Sequence, residues 1–300
     1  MKYANSDEYD GYWMNERTNG KGKMTYANKD VYDGYFVNGQ KEGAGIMEYR
    51  NGDRYDGDWW HDKRSGKGML KFRNGGYYNG EWLADSWETG NGLMCYKNGE
   101  IYEGEWKDAK RHGRGAMTFV NGDRYEGSWL NDKKHGSGIC TYANKNKYEG
   151  QWVNGDSEGT GTMKYRDGDE YEGTWARGKR AGNGVLRING GDTYEGLFAD
   201  DRRVDGLGKM VFRDGDMYEG RWVSSNMMGQ GVMKYRNGET YDGQWANNMK
   251  MGQGVMAYRN GDYYDGTWSN DLREGTGSMF YGNGDKFEGQ WNNDKLNGSG

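Results

Sequence analysis

The sequence contains no proline, only two cysteines and few aliphatic residues. Leu, Ile, Val and Phe number 9, 4, 10 and 7 among 300 residues, far fewer than an ordinary aliphatic core uses. Such a shortage is typical of disordered chains, which are also poor in aromatic residues and strongly charged. This chain instead holds 25 Tyr, 13 Trp and 17 Met with a net charge of −5. We therefore predict a folded protein whose core consists of aromatic rings and methionine.

Membrane-spanning and secretory segments are missing as well. No apolar run approaches the roughly 20 residues of a membrane-spanning helix, and residues 1–8 lack the basic flank and apolar stretch of a signal peptide. With 41 basic and 46 acidic residues, the composition shows no bias toward nucleic acid. Cys95 and Cys140 fall on opposite faces by parity, so we expect no disulfide. These features favour a soluble cytoplasmic protein with no nucleic-acid partner.

One pattern, Tyr-x-Gly-x-Trp, recurs along the whole chain at intervals of 23 residues, with two intervals of 24. It begins at Tyr9, Tyr32, Tyr55, Tyr78, Tyr102, Tyr125, Tyr148, Tyr171, Tyr194, Tyr218, Tyr241, Tyr264 and Phe287. We interpret residues 1–300 as a single array of thirteen units, with residues 1–8 as part of a preceding unit.

Each unit carries the period of two that is typical of half-buried strands. Tyr55, Gly57 and Trp59 alternate with charged residues, and Gly68 and Leu70 alternate with lysine and methionine in a second strand. Asn-Gly or Asp-Gly separates ten of the twelve pairs of successive units, and these dipeptides favour tight hairpin turns. We predict an all-β fold, an elongated repeat array of antiparallel β-hairpins that forms a single-layer twisted meander sheet.

Two further features of the units lead to local expectations. Glycine occupies three positions in every unit, as at Gly104, Gly113 and Gly115, and we interpret all three as sites where an aromatic ring lies on the backbone. The extra residue of each longer unit falls between the Trp position and the next glycine pair, within residues 84–88 and 199–203. We expect that segment to be a loop.

The repeat resembles a known family. Residues 102–115 read Tyr-Glu-Gly-Glu-Trp-Lys-Asp-Ala-Lys-Arg-His-Gly-Arg-Gly, and this pattern is similar to the MORN (membrane occupation and recognition nexus) repeat. All thirteen units share it, although Phe36 and Phe198 replace the tryptophan. The resemblance implies an elongated sheet of successive hairpins that acts as a scaffold in cytoskeletal, ciliary, axonemal or membrane-associated assemblies. Some members of the family have been linked to phosphoinositides.

The repetition itself argues against an enzyme, because catalysis needs a few residues that differ from their surroundings. An acid precedes the central glycine in twelve of thirteen units, as at Asp56, and we interpret it as an outer-face charge paired with basic residues on the neighbouring strand. His112 and His135 share one position in adjacent units, roughly 10 Å apart, too far for one zinc ion. We predict no catalytic residues, no metal site and no cofactor.

One local departure is a concentration of basic residues in the same expected loop of two adjacent units. It comprises Lys110, Arg111, His112, Arg114, Lys133, Lys134 and His135. An anionic lipid headgroup or an acidic protein is the expected partner. The alternative is a pair of solvated loops that follow the usual basic sequence of the family.

A second departure is methionine in expected loops that are otherwise polar, beside a thin row of aliphatic residues. The predicted protein-binding residues are Met227, Met228, Met249, Met251, Val232 and Val255. Exposed methionine makes adaptable contact surfaces, and the alternative is simple loop packing.

The chain starts on a second strand and stops just before one, so both ends leave an unpaired sheet edge. We expect a homodimer, an end-to-end oligomer, or a longer array of which this chain is a part. As its function, we predict a non-catalytic structural scaffold that binds other proteins and is associated with the cytoskeleton. The alternative is a peripheral membrane module that binds anionic phospholipid, such as phosphoinositide, through the basic loops.

Overall fold

The computed structural model describes residues 1–87 and 89–297, and within them every regular element is a β-strand. The chain divides into two compact units, Met1–Asp156 and Ser157–Gly300. They are called the first and the second unit from here on, and each contains several of the sequence repeats, which are now called hairpins. In each unit, successive strands pair antiparallel as a meander of hairpins. The prediction of an all-β hairpin array is therefore confirmed. Glu88 and residues 298–300, which the predicted units include, lie outside the described residues.

The strands alternate between about seven and about nine residues, and two strands make one hairpin. The first unit contains β1 (Glu8–Met14), β2 (Arg17–Thr25), β3 (Val31–Val37), β4 (Gln40–Glu48), β5 (Arg54–Trp60), β6 (Lys63–Lys71), β7 (Tyr77–Trp82), β8 (Gly90–Cys95), β9 (Ile101–Lys107), β10 (Lys110–Thr118), β11 (Arg124–Leu130), β12 (Lys133–Thr141) and β13 (Lys147–Val153). The second contains β14 (Asp156–Lys164), β15 (Glu170–Ala176), β16 (Lys179–Arg187), β17 (Thr193–Ala199), β18 (Arg202–Val211), β19 (Met217–Val223), β20 (Asn226–Lys234), β21 (Thr240–Ala246), β22 (Met249–Ala257), β23 (Tyr263–Ser269), β24 (Leu272–Phe280), β25 (Lys286–Asn292) and β26 (Lys295–Asn297).

Two kinds of tight turn connect the strands. Between hairpins, Gly52 of an Asn-Gly turn has φ +93° and donates its N–H to the Tyr49 carbonyl at 2.8 Å, as the dipeptide predicts. Within a hairpin the turn has only two residues, as at Asp200–Asp201, with φ of 46° and 68°. The expectation of a loop over 199–203 is wrong, because such a pair suffices to reverse the chain and β18 begins at Arg202. Residues 83–87 include a similar turn at Ala84–Asp85 but belong to no strand, since β7 ends at Trp82 and β8 begins at Gly90. The expected loop over 84–88 therefore agrees with the structure up to residue 87, and Glu88 lies outside the described residues.

A β-bulge explains the spare residues in most of the described hairpins. Gly57 pairs with Gly68 and Trp59 with Arg64, so that β6 uses four residues where β5 uses two. In β17 and β18 the corresponding pairs are Gly196 with Gly208 and Phe198 with Arg203, and the extra residue enlarges the bulge. Within that wider bulge the buried Tyr194 hydroxyl has no hydrogen-bond partner among the described residues.

The core of each hairpin is a tyrosine ring laid on bare backbone. The Tyr102 hydroxyl donates to the Glu105 carbonyl at 2.9 Å, and a Cβ on Gly104 would lie 2.7 Å from that hydroxyl. A Cβ on Gly115 would collide with the same ring, so the interpretation of these two glycines is confirmed. It is wrong for Gly113, which has φ +54° and faces the Glu105 side chain. That residue is glycine because the bulge requires a left-handed backbone.

Tryptophan links most hairpins to the preceding one, and Phe36 and Phe198 take its place in two of them. The Trp59 Nε1 donates to the Gly45 carbonyl at 3.0 Å. The Tyr55 ring meets Trp59 edge-on at 5.2 Å and Trp82 of the next hairpin at 5.1 Å. Such aromatic pairs contribute about 0.5–1.5 kcal/mol each beyond the area that they bury. An interlocked row of rings therefore replaces the aliphatic core within each unit.

Gly45→Ala and Gly43→Ala form a matched pair that tests the ring-on-backbone contact. An alanine Cβ at position 45 would lie 2.5 Å from the Tyr32 Cζ, whereas none of the surrounding atoms lies within 4 Å of a Cβ at position 43. We expect Gly43→Ala to cost about 1–2 kcal/mol of unfolding free energy, because its φ of +66° is left-handed. Gly45→Ala should cost at least about 3 kcal/mol, because the ring must leave its site. Urea unfolding measures both, and equal losses would contradict the packing.

The buried tyrosines predict a loss of stability in alkali. Burial raises the pKa of Tyr78, Tyr218 and Tyr264 to about 12, above the value of about 10 expected in the unfolded chain. The folded form therefore holds these protons more tightly, and the stabilisation is complete below pH of about 10 and declines as the pH rises toward about 12. Urea midpoints between pH 8 and 12 and phenolate absorbance measure this. Core tyrosines that ionise near pH 10 in the intact fold would contradict it.

Candidate functional site

The predicted basic residues lie on strands rather than in loops, because the preceding turn has only two residues. Arg111 and Lys134 turn toward the aromatic face. The Arg111 guanidinium lies 4.6 Å from the centre of the Trp129 ring, and the Lys134 ammonium lies 4.2 Å from the centre of the Trp152 ring. Arg111 also makes an ion pair of 3.1 Å with Asp132. These two cations pack the next hairpin and are not free for a ligand.

The same position covers the aromatic face in most hairpins. Cations lie over rings there at Lys41, Arg64, Arg111, Lys134, Arg180, Arg203, Lys250 and Arg273. Met227 occupies this position in its hairpin and is only 8% exposed. The sequence indicates that this residue lies on the aromatic face, because Arg64 has the same parity as Gly68 and Leu70. The expectation of a loop, in which parity has no meaning, prevented that conclusion.

His112 and His135 are half-buried, and neither Nδ1 has a hydrogen-bond partner within the described residues. In other hairpins the equivalent residue is Glu158 or Glu274, whose carboxylate accepts the N–H that opens the next turn, at 2.9 and 3.0 Å. The histidines thus replace an acceptor that joins neighbouring hairpins. The structure brings no carboxylate or thiol near them that would complete a metal site in the described part of the chain.

Lys110, Arg114 and Lys133 are the exposed members of the predicted anion site. None of the three side chains forms an ion pair within residues 1–87 and 89–297. Lys110 pairs across its turn with Lys107, and Lys133 with Leu130. The exposed basic surface is therefore smaller than the sequence suggested. It consists of Lys110, Arg114 and Lys133, together with Lys107, which lies opposite Lys110.

The methionine residues of the predicted protein site also lie at the beginnings of strands, β20 and β22, so their placement in loops is wrong. Met227 is buried, and Met228 and Met251 are half-buried, with the Met228 sulfur facing the Asn247 N–H at 3.1 Å. Val232 is half-buried, and Met249 and Val255 are 36% and 37% exposed. Protein binding by these residues stays a prediction, with a smaller accessible surface than expected.

The face opposite the aromatic rings, here called the reverse face, carries the recurring acid. Part of its expected pairing is wrong, since Asp56, Glu126 and Glu149 pair with basic residues two positions earlier on their own strand. Among the recurring acids of the described residues, Glu172 forms an ion pair across strands, with Arg187 at 3.1 Å. In the first unit the reverse face has two open grooves of about 460 and 430 Å³, both lined by Lys67 and Asn79. Such shallow grooves above glycine suit the side chains of a protein partner.

A second exposed feature was missed by the sequence reasoning. The residue immediately before each two-residue turn lies on the reverse face, and in the first four hairpins it is apolar and exposed. We call these four residues the turn rim: Met14, Val37, Trp60 and Leu83, exposed at 57%, 49%, 62% and 72%. This position can be recognised only when the turn is known to have two residues. A sequence analysis that expects a longer loop assigns these residues to the loop and does not identify them as a row.

The sequence profile of the MORN repeat matches residues 9–31, 32–54, 55–77, 102–124, 125–147, 148–170, 171–193, 194–217, 218–240, 241–263, 264–286 and 287–300. The chain belongs to the MORN repeat family. The MORN repeat is generally a non-enzymatic module, and no catalytic family is indicated. The hairpin between the third and fourth matches departs most from the pattern, with Trp87 in place of the cation and its ring 4.9 Å from that of Tyr78.

Among solved structures, the chain is similar to the TCP domain of Drosophila melanogaster SAS-4 (dCPAP) in complex with a proline-rich motif of Ana2 (dSTIL). That match has 18% identity over 59% of this chain and 83% of that chain, with a TM-score of 0.30. The TCP10 domain of Danio rerio CPAP in complex with a STIL peptide has 11% identity over 76% and 96%, with a TM-score of 0.27. No curated protein sequence matches significantly. Likeness at this level carries no inference about function.

No helix in the described residues of this MORN chain is long and apolar enough to cross a membrane. Groups of three or more possible metal ligands are likewise absent from the part of the chain that the structure describes.

His135→Glu should stabilise the MORN array by supplying the missing acceptor. Glu158 shows the geometry, with its carboxylate 2.9 Å from the turn N–H. We expect a gain of about 1 kcal/mol in the free energy of unfolding, since a hydrogen bond to a charged acceptor replaces an unpaired nitrogen. His135→Ala is the control, because it removes the ring without adding an acceptor. If alanine and glutamate have the same urea midpoint, the acceptor is irrelevant.

Proposed function

We propose that this MORN protein is a non-catalytic scaffold that binds other proteins through its reverse face. One observation carries the proposal. Most hairpins use a tyrosine, a tryptophan and a capping cation to hold their neighbours, while exposed residues on the reverse face, such as those of the turn rim, differ from hairpin to hairpin. Repetition of the core with variation of the surface is what an extended protein-binding array requires.

The reverse face of the first unit has the features of a protein contact. Its larger groove is lined by a cation, Lys67, by the acids Glu81 and Glu103, and by the half-buried Leu93. Mixed charge around a small apolar centre is the usual composition of a non-obligate interface. The turn rim adds exposed apolar side chains beside it.

The place of this scaffold in the cell follows from the family rather than from the geometry. We propose a cytoskeletal assembly, and the ciliary or axonemal assignment rests on the same family resemblance. The homodimer and the end-to-end oligomer expected from the sequence stay predictions.

A second candidate function is binding to an anionic membrane surface. Lys110, Arg114 and Lys133 are exposed and without ion-pair partners in the described chain, and each lysine near anionic lipid contributes about 1 kcal/mol. Phosphoinositide vesicles provide the direct test. Sedimentation of the intact chain with them, lost in the Lys110→Glu, Arg114→Glu, Lys133→Glu variant, would support this candidate over the first.

The scaffold proposal is tested by capture from cell extract on the immobilised intact chain, with chemical cross-linking and mass spectrometry. Specific proteins should be cross-linked to the reverse face of the first unit. A bait with Lys67→Glu and Glu103→Lys reverses two exposed groove charges and should lose them. Leu207→Ser is the matched control, because Leu207 is 77% exposed in the other unit. Identical recovery on all three baits, or none on any, would overturn the proposal.

A further inference from the structure

The turn rim is a row of apolar side chains that runs across the strands. The register shows this, because successive strands pair glycine with glycine, as Gly34 with Gly45, Gly45 with Gly57 and Gly57 with Gly68. Each hairpin is therefore aligned with the next without stagger. Equivalent residues of successive hairpins are separated by two strand spacings, about 10 Å.

The fold does not require large apolar residues at this position. In the second unit the residue before the two-residue turn is Ala176, Ala199, Ala246 or Ser269 in four hairpins. Those hairpins have the same pairing across the turn as β5 and β6, where Trp60 pairs with Lys63. The Trp60 ring meets the ring of the adjacent His61 at 4.4 Å but stays 62% exposed, and Leu83 is 72% exposed. Water-exposed apolar rows of this kind mark interaction sites.

The spacing of the row selects a partner. An α-helix rises about 1.5 Å per residue, so that every seventh residue recurs on one face at about 10.5 Å. Four rim residues span about 29 Å, and four heptad positions of a helix span about 32 Å, so a heptad row stays within reach of all four. We propose that the turn rim binds an amphipathic α-helix of another protein, which lies across the hairpins.

The charges beside the turn rim indicate which residues the polar face of that helix carries. Lys63 lies beside Trp60 in the row, and Lys107, Lys110 and Lys133 continue the same rim in the next two hairpins. All four lysines are exposed, and no ion pair engages them in the described residues. The partner helix is therefore acidic beside its apolar row. This inference rests on the proposed scaffold function and names the chemistry of one partner.

The test uses a fluorescein-labelled synthetic peptide of about 30 residues, long enough for four heptads, with leucine at every seventh position, glutamate on the opposite face and alanine elsewhere. Fluorescence anisotropy with the intact chain should show saturable binding that weakens with salt. A peptide of the same composition with leucines at irregular intervals, and one with lysine in place of glutamate, should bind at least about tenfold more weakly.

The chain variants locate the site. Trp60→Ser with Leu83→Ser should weaken binding about tenfold or more, and Lys107→Glu with Lys110→Glu and Lys133→Glu should remove the preference for glutamate over lysine. Val120→Ser with Leu207→Ser is the matched control, because both residues are exposed apolar side chains outside the rim, at 64% and 77%. Unchanged urea midpoints confirm that each variant is folded.

Four outcomes would overturn the inference. The regular and irregular peptides bind equally, or the rim variant binds as tightly as the control variant. Alternatively, anionic phospholipid vesicles but not the peptide shift the tryptophan emission of the chain to the blue, the shift is absent from the Trp60→Phe variant, and the rim then binds lipid. Sedimentation that shows self-association abolished by the rim substitutions would assign the row to a second copy of the chain. Protein capture on the groove, which is independent of Trp60, would leave the scaffold function standing.

Discussion

The structure depends on one contact, a tyrosine ring that lies on a pair of facing glycines. Gly57 and Gly68 pair across β5 and β6, and the Tyr55 ring covers both. Its hydroxyl donates to the Asp58 carbonyl at 2.9 Å, so the phenol is buried with its polar group satisfied. Burial of the whole ring against backbone gives a single-layer sheet the apolar contact that ordinarily requires a second layer.

The remaining side chains of the core serve to join hairpins. Trp82 donates to the Gly68 carbonyl at 2.9 Å and meets the Tyr55 ring at 5.1 Å, and Arg64 covers Trp82 from the solvent side at 4.3 Å. Arg64 also holds Asp85 of the following turn at 3.1 Å. One arginine thus shields an aromatic ring and fixes the next turn. This double use explains why basic residues that look available in the sequence are engaged in the fold.

The sequence predicts the fold well, because the alternation of apolar and charged residues marks the strands and Asn-Gly marks the turns between hairpins. It fails at the two-residue turn within each hairpin, here called the inner turn. Six residues lie between Trp59 and Gly66, a number that fits a loop as readily as a two-residue turn followed by a bulge, and the bulge is set by the three-dimensional packing of Tyr55. Dipeptides such as His61–Asp62, with positive φ at both residues, were the available signal. With a loop expected in place of these two-residue turns, the sequence puts Arg111 and Met227 in solvent and gives no indication of the turn rim.

The same uniformity that stabilises the array decides where function can reside. A change at the tyrosine or at either covered glycine disturbs the contact between hairpins, so these positions vary little within the chain, whereas the capping position also accepts Trp87 and Met227. The residue before the inner turn lies on the reverse face, away from the tyrosine ring, and it varies from Trp60 to Ser269. A row of free positions at a fixed interval of about 10 Å favours partners that are themselves periodic, since each added hairpin then adds a similar contact. A helix has that property, whereas a small molecule or a compact pocket ligand would use one hairpin and leave the others unoccupied.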